Sequence, residues 1–407
     1  MSPLLRPVLL LVLLLAGCAT PAAQAPSRRP PVILVSIDGF HPSYLERGLT
    51  PTLNAIAAEG VRAPAMRPSF PSKTFPNHYT LVTGLRPDRH GIVDNTMEDP
   101  VLPGRFRVRD KDKVTDRRWW DDAEPLWVTA KRQGLRTATM FWPGSEAAIG
   151  GLRPDEWRPY DAAVSSTARV DTVLGWLDAP VPSALVTLYF DTVDAAGHRH
   201  GPDAPETDRA IAEVDAALAR LRAGLRARGQ EVNLVVVSDH GMAATSRERM
   251  IVVDDIVETS RIRLITDEAV AGIQPGPGYN AETERKLLAP RPHHRCYRKG
   301  ELPARLAYGR HRRVPAIVCI ADPGWLILTR ADAASLPPVG GDHGYENGHP
   351  SMEAVFLAAG PAFQVGAVAP VFDNVDIYPL LARLLGVKPQ PHDGDLRQLG
   401  PALVRGR

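Results

Sequence analysis

The run Val32-Ile33-Leu34-Val35-Ser36-Ile37, followed at once by Asp38-Gly39, decides the fold class. A strand with one wet face alternates apolar and polar side chains, and this one does not. An unbroken aliphatic run marks a strand covered on both faces, as in a parallel sheet flanked by helices. Four more runs read the same way: 137–142, 185–190, 232–238 and 354–358. Helical patterns lie between them. One spans 50–58, opened by Thr50-Pro51-Thr52 and closed by Gly60; others cover 207–228 and 376–385, the last closed by Gly386. Strands alternating with helices predict an α/β fold: a three-layer α/β/α sandwich around a mostly parallel sheet.

The 407 residues are 44% hydrophobic and 23% charged, which fits one large folded unit and excludes wholesale disorder. A formal net charge of +2 gives no case for binding a nucleic-acid duplex, so affinity for an anion must come from a local site. Near the N-terminus Arg6 precedes an apolar run, 8–16, of signal-peptide length and too short to span a bilayer. It ends in Leu15-Ala16-Gly17-Cys18, which reads as a lipoprotein cleavage box that would acylate Cys18. The alternative is an ordinary signal peptide with an incidental cysteine. Either exports the protein, the first as a membrane-anchored periplasmic lipoprotein. Residues 18–31 read as a tether rich in Ala and Pro, 32–394 as the folded domain and 395–407 as a tail. Cys296 and Cys319 are expected to pair in an exported chain, the alternative being two buried thiols. Segment 272–313, dense in Pro, Gly, His and Arg, reads as a cap-like insert extending to about 325. Its cluster Arg310-His311-Arg312-Arg313 reads as a solvated face.

Functional groups in open α/β sheets gather past the carboxyl ends of the strands. Asp38 follows the first strand. Asp191 and Asp194 follow the strand ending at Phe190, with His198 four residues beyond Asp194. Asp239-His240 follow the run ending at Ser238, and His343 comes later in Gly341-Asp342-His343-Gly344. Asp38, Asp194 and Asp239 with His198, His240 and His343 make three aspartates and three histidines at site edges, in a chain with 12 histidines. Carboxylate and imidazole together suit zinc, and two such sets suit a paired-metal phosphotransfer site. Each residue alone is open to a plainer reading as a cap, turn or surface group. In Ser72-Lys73-Thr74-Phe75-Pro76-Asn77-His78, Thr74 precedes an apolar-periodic stretch, 79–85, and so stands near a helix N-terminus. There it is either an N-cap or a nucleophile whose alkoxide the helix dipole favours.

Three sets of motifs carry a family resemblance. They are Val35-Ser36-Ile37-Asp38-Gly39-Phe40; Lys73-Thr74-Phe75-Pro76-Asn77-His78 with Thr83-Gly84-Leu85-Arg86-Pro87 and His90-Gly91-Ile92; and Asp194-Ala195-Ala196-Gly197-His198, Ser238-Asp239-His240-Gly241-Met242 and His343-Gly344-Tyr345-Glu346-Asn347. In this order they resemble the nucleotide pyrophosphatase/phosphodiesterase family of the alkaline phosphatase superfamily, over roughly 31–394. The resemblance implies a site holding two Zn2+. Asp194, His198 and His343 would bind one ion, and Asp38, Asp239 and His240 the other, with Thr74 completing that sphere. Thr74 would attack phosphorus to form a phosphothreonine that water then hydrolyses. Asn77 would hydrogen-bond a non-bridging phosphate oxygen, and Phe75 and Tyr189 would sandwich a nucleobase. The implied substrate is a small phosphodiester or phosphoanhydride, a nucleotide, cleaved to a nucleoside 5'-monophosphate.

Some positions depart from the family pattern. Thr192-Val193 stands where vertebrate members carry Glu-Pro, and Glu346 where many have Asp. No nuclease-like or somatomedin-like segment is legible, as in bacterial members. Four rivals remain. An arylsulfatase would need Arg at Lys73 and oxygen-rich calcium ligands in place of the histidines. A phosphomonoesterase would need cationic groups at the extra phosphate charge, and a phospholipid-type phosphodiesterase would differ in its pocket. An inactive surface binding protein would have no reason to keep six ligand candidates and Thr74.

Overall fold

The computed structural model describes residues 29–404. The leader, Cys18 and most of the tether lie outside the described residues. In chain order the main sheet uses β1 (Val32–Ile37), β2 (Val61–Arg62), β3 (Thr137–Met140), β4 (Glu156–Arg158), β5 (Leu185–Phe190), β6 (Asn233–Val237), β7 (Phe356–Ala359) and β8 (Ala367–Val368). Their spatial order is β8-β2-β7-β6-β1-β5-β3-β4. β1 sits between β5 and β6, parallel to both, and β3 is parallel to β5 and β4.

β1 is fully buried, which is why its sequence does not alternate. Its side chains still divide between two faces. Val32 and Leu34 join a core with Tyr79 and Leu81 of α2 (Thr74–Thr83) and Leu380 and Leu381 of α6 (Ile377–Leu385). Ile33, Val35 and Ile37 join a second core with residues of four helices: α1 (Pro51–Glu59), α3 (Ser166–Leu177), α4 (Thr192–His200) and α5 (Pro205–Ala227). These are the expected three layers. Each fully buried Ile or Leu contributes about 1.5–3 kcal/mol.

Two strand expectations change. The run 137–142 stops at Met140 because Phe141 adopts φ 65°, outside strand geometry. The run 354–358 becomes β7 and pairs antiparallel to β6. The chain reaches β7 from the loop after His343, already at the carboxyl end of the sheet, so it must run back down.

The segment read as an insert contains a second sheet of four antiparallel strands, in the order Ile262–Thr266, Val270–Pro275, Ile317–Ala321, His294–Arg298. Its first strand begins before residue 272. Cys296 stands opposite Cys319 and the two form a disulfide. The cluster 310–313 is not all solvated face. Arg313 is buried, bonded to Asp99 at 2.6 Å and to the carbonyls of Gly91 and Trp119, and fastens this region to the main body.

Candidate active site

The carboxyl ends of β1, β5 and β6 deliver their residues to one place. Asp38 follows β1 and Asp239-His240 follow β6. Helix α4, entered from β5, presents Asp194 and His198 one turn apart on the same face. His343 arrives on the short strand Val339–Asp342, which pairs with Ala243–Ser246 just beyond His240. Gly39 makes the crowding possible. Its φ is 67°, and a Cβ there would stand 3.1 Å from the Asp194 Cα. Thr74 is the first residue of α2, and Lys73 is its N-cap.

Ligand atoms of Asp194, His198 and His343 all lie within 4.8 Å of one another, as do those of Asp38, Asp194 and His240. Asp239 Oδ2 is 2.9 Å, and Asp38 Oδ1 3.5 Å, from His240 Nε2. The His240 and His343 rings stack at 3.6 Å, so the two groups share a wall. Thr74 Oγ1 is 3.4 Å from His240 Nε2.

Whether these residues fit metal ions is decided by their unused atoms. Asp38 Oδ1, Asp194 Oδ1 and Asp239 Oδ2 are buried and accept no hydrogen bond. Orphaned carboxylate oxygens are costly unless a cation meets them. Each histidine directs Nδ1 to a backbone carbonyl: His198 to Gly341 at 2.9 Å, His240 to Gly241 at 2.9 Å and His343 to Ser72 at 2.8 Å. Those bonds assign the proton to Nδ1 and leave the Nε2 lone pair for a ligand, the arrangement by which protein histidines bind metals. Burial, then the nearby charges of Asp239 and Asp194, raise Asp38. Burial also raises Asp194 and, with His240 and His198, lowers His343. Divalent cations fit this donor set.

His78 also comes within reach of Asp38 and Asp239. Both of its nitrogens are engaged, however, Nε2 with Ser36 Oγ and Nδ1 with the Thr74 carbonyl, each at 2.8 Å. It braces the turn that carries Thr74, a duty no sequence spacing signals.

Two assigned roles do not survive the geometry. Asn77 is buried with all its amide atoms engaged. Its Oδ1 accepts from Ser69 N and Asn374 Nδ2, and its Nδ2 donates to Pro71 O and Lys73 O. It has nothing left for a phosphate and instead holds the loop before α2. Asn95, passed over in the sequence, bonds the residue next to Thr74. Its Oδ1 accepts from Phe75 N at 2.9 Å, and its Nδ2 makes no bond among the described residues. Tyr189 is no open stacking platform. Its ring is buried, and its hydroxyl donates to Asp38 Oδ2 at 2.5 Å. Phe75 is partly exposed and packs on Phe106 and Trp120. Asp191 pairs with Arg169 at 2.7 Å and accepts from Tyr160. Tyr160 is an exposed ring 6.4 Å from that of Tyr189.

Known proteins resemble this chain in sequence and fold. Residues 32–346 match the sequence profile of the family described as type I phosphodiesterase / nucleotide pyrophosphatase. The chain is 35% identical over 402 residues to ectonucleotide pyrophosphatase/phosphodiesterase family member 1 of Mus musculus, covering 95% of this chain and 44% of that longer relative. It is 37% identical over 394 residues to a bis(5'-adenosyl)-triphosphatase of Bos taurus, covering 95% of this chain and 85% of that one. Murine ectonucleotide pyrophosphatase / phosphodiesterase 5, solved as an inactive threonine-to-alanine variant in complex with AMP, superposes with a TM-score of 0.88 at 36% identity. That match covers 92% of this chain and all of the other. With the fold, the motif order and the ligand cluster in agreement, the chain belongs to the type I phosphodiesterase/nucleotide pyrophosphatase family.

Proposed function

We propose that the protein is an exported two-zinc hydrolase that cleaves phosphodiester or phosphoanhydride bonds of nucleotides and releases nucleoside 5'-monophosphates. One observation carries the reading: three orphaned carboxylate oxygens and three Nε2 lone pairs converge beside Thr74. Asp194, His198 and His343 would hold one ion, and Asp38, Asp239, His240 and Thr74 the other. Bound zinc supplies positive charge that acidifies hydroxyl and water and offsets charge on the phosphate. The AMP-bound relative with its threonine replaced supports both the nucleotide and the role of Thr74.

Thr74 Oγ1 releases its proton to solvent and bonds to phosphorus. The bond to the leaving oxygen breaks, with its electron pair on the leaving group. Water then attacks phosphorus, the monophosphate departs and Thr74 regains a proton. Asn95 Nδ2, instead of Asn77, donates to a non-bridging phosphate oxygen. Phe75 forms one aromatic wall for the base, and exposed Tyr160 replaces Tyr189 as candidate for the other. A diester is favoured over a monoester because, among the described residues, the cation next to Thr74 in the chain is not free. Lys73, its neighbour, is buried and faces the carboxylates of Asp94, Glu268 and Asp342.

The Cys296–Cys319 disulfide supports export. No helix among the described residues is long and apolar enough to cross a membrane, so membrane attachment in this reading depends on the lipid at Cys18.

The test uses protein starting at Pro30, with and without zinc. A nitrophenyl nucleotide diester is expected to be cleaved far faster than nitrophenyl phosphate, only with zinc. Thr74→Ala is expected to reduce turnover by on the order of 10³-fold or more. Preferred cleavage of the monoester would move the protein to a phosphatase function. Zinc-loaded protein without turnover would leave a binding protein.

A further inference from the structure

Tyr160, just past β4, exposes its ring and is nonetheless held at three points. Its hydroxyl donates to Asp191 Oδ2 at 2.6 Å. Its backbone N donates to Glu146 Oε1 at 3.0 Å. Its ring meets that of Phe141 edge to face, with the centres 5.4 Å apart. An exposed tyrosine that leaves its hydroxyl to water changes rotamer within nanoseconds. This one is fixed at the backbone, along the ring and at the tip.

Both side chains that hold the ring are tied to one buried residue, Arg169 of α3. Its Nη1 donates to Asp191 Oδ1 at 2.7 Å and to Tyr189 O at 3.0 Å, and its Nε donates to Val164 O at 2.9 Å. The two oxygens of Asp191 are thus divided, Oδ1 to Arg169 and Oδ2 to Tyr160. The same guanidinium lies over the Phe141 ring, 5.0 Å from its centre, an attractive placement of a cation on an aromatic face. Phe141 needs such support, because its φ of 65° is left-handed and strained for a bulky side chain. Tyr189, whose carbonyl Arg169 holds, donates its hydroxyl to Asp38 Oδ2. A continuous set of contacts therefore runs from the exposed Tyr160 ring through Asp191, Arg169 and Tyr189 to a carboxylate of the ligand cluster. Neither Arg169 nor Asp191 belongs to that cluster, and the steps at phosphorus use neither.

We propose that Arg169 and Asp191 are positioning residues, and that their ion pair holds the Tyr160 ring in place as a wall for a nucleobase before the substrate arrives. The proposal rests on the nucleotide reading of the site. A ring that is already fixed loses little freedom when a base stacks on it, so affinity rises without a new contact. A loose ring would have to be ordered at every binding event. A substrate without a base gains nothing from the pair. The pair therefore contributes to the choice of nucleotides over diesters of simple alcohols.

The test compares zinc-loaded protein with Tyr160→Phe, Tyr160→Ala, Asp191→Asn and the Tyr160→Phe/Asp191→Asn double variant. The substrates are a nitrophenyl nucleotide diester and methyl nitrophenyl phosphate, which shares its leaving group and has no base. Tyr160→Phe is the decisive variant, because it keeps the ring and the buried ion pair and removes only the hydroxyl bond to Asp191. Its KM for the nucleotide diester should rise roughly 3- to 10-fold, with the loss falling on KM more than on kcat and exceeding any loss on the methyl ester. Tyr160→Ala, which also removes the stacking surface, should lose more. The double variant should lose less than the product of the two single losses, because both substitutions break the same bond. Calorimetry of AMP binding to Thr74→Ala protein repeats the comparison without turnover. Unaltered affinity in Tyr160→Phe alongside a loss in Tyr160→Ala would keep the wall and overturn the positioning role. Multiplicative losses in the double variant, or equal losses on both esters, would overturn it too. Tyr160→Ala without any loss would remove the wall and the positioning role together. Failure of the function reading looks different: unaltered protein would cleave neither ester, or would cleave both alike and not bind AMP.

Discussion

His198 Nε2 and His343 Nε2 lie 3.1 Å apart, and each ring has already committed its proton through Nδ1 to a backbone carbonyl. Two lone pairs held that close repel unless a cation satisfies both, so the pair has the form of a metal site. Metal analysis of zinc-equilibrated protein should give two ions per chain. His343→Ala should bring that toward one while the fold, read by circular dichroism, is kept. An unchanged metal content in His343→Ala would remove His343 from the ligand set.

Asn77 and Asn95 should separate cleanly. Asn77→Ala leaves buried donors and acceptors unmatched on the loop before α2 and on Asn374, so stability should fall by about 1–3 kcal/mol for each group left unsatisfied. Asn95→Ala removes one accepted hydrogen bond, from Phe75 N, so it should lower the melting temperature far less than Asn77→Ala does and lower kcat by about 10²-fold. Thermal unfolding and diester kinetics on both variants check this. Equal melting temperatures with activity lost only in Asn77→Ala would restore the role first read from the sequence.

Tyr189 should tune metal affinity and not base preference. Its hydroxyl donates to Asp38 Oδ2, the oxygen beside the orphaned Oδ1. Tyr189→Phe keeps the buried ring and removes this hydrogen bond. Zinc affinity, measured by chelator competition, should fall about 10- to 100-fold, with the ranking of nucleobases unchanged. A change in base ranking at constant zinc affinity would contradict the assignment.

His90 sets part of the acid limit of stability. Its ring is buried, Nε2–H donates to Pro76 O at 3.1 Å and Nδ1 accepts from Ile92 N at 3.1 Å, so the neutral form is fully satisfied. Burial lowers its pKa from 6.5 to about 3. The folded value lies below the unfolded one, so between them the unfolded chain binds more protons. Stability therefore rises with pH across that window and is lost as pH falls through it from 6.5. The melting temperature should drop from pH 6.5 toward 4, and a non-titrating His90→Gln variant should drop less over the same interval.

The sequence was most legible where one physical constraint acted alone. β1, buried on both faces, could be read from its aliphatic run, and the cluster of carboxylates and imidazoles at strand ends from residue type and position. β7 was found, but its direction was not, because burial patterns do not encode which end of the sheet the chain enters from. His294–Arg298 of the second sheet was hidden because it is short and carries charged residues. Asn77 and Asn95 show a different limit. Both are amides near Thr74 in the chain or in space, and only the count of hydrogen bonds already made tells the structural one from the available one. Tyr189 failed likewise, since an aromatic side chain at a strand end gives no sign of whether its ring or its hydroxyl is in use.

The ligand set begins at Asp38 and is completed only by His343, while the strand that returns from the site, β7, lies between β6 and β2. A chain emerging from the ribosome thus carries Thr74 early but lacks a complete cluster until its final strands are made. Hydrolytic competence is a property of the finished fold, and a truncated or half-folded chain would be harmless to the nucleotides around it. The same long loop, spanning most of the chain, means that loading metal ties the beginning of the sequence to its end. Metal-loaded protein should therefore resist unfolding as one unit, where stripped protein can open from either terminus.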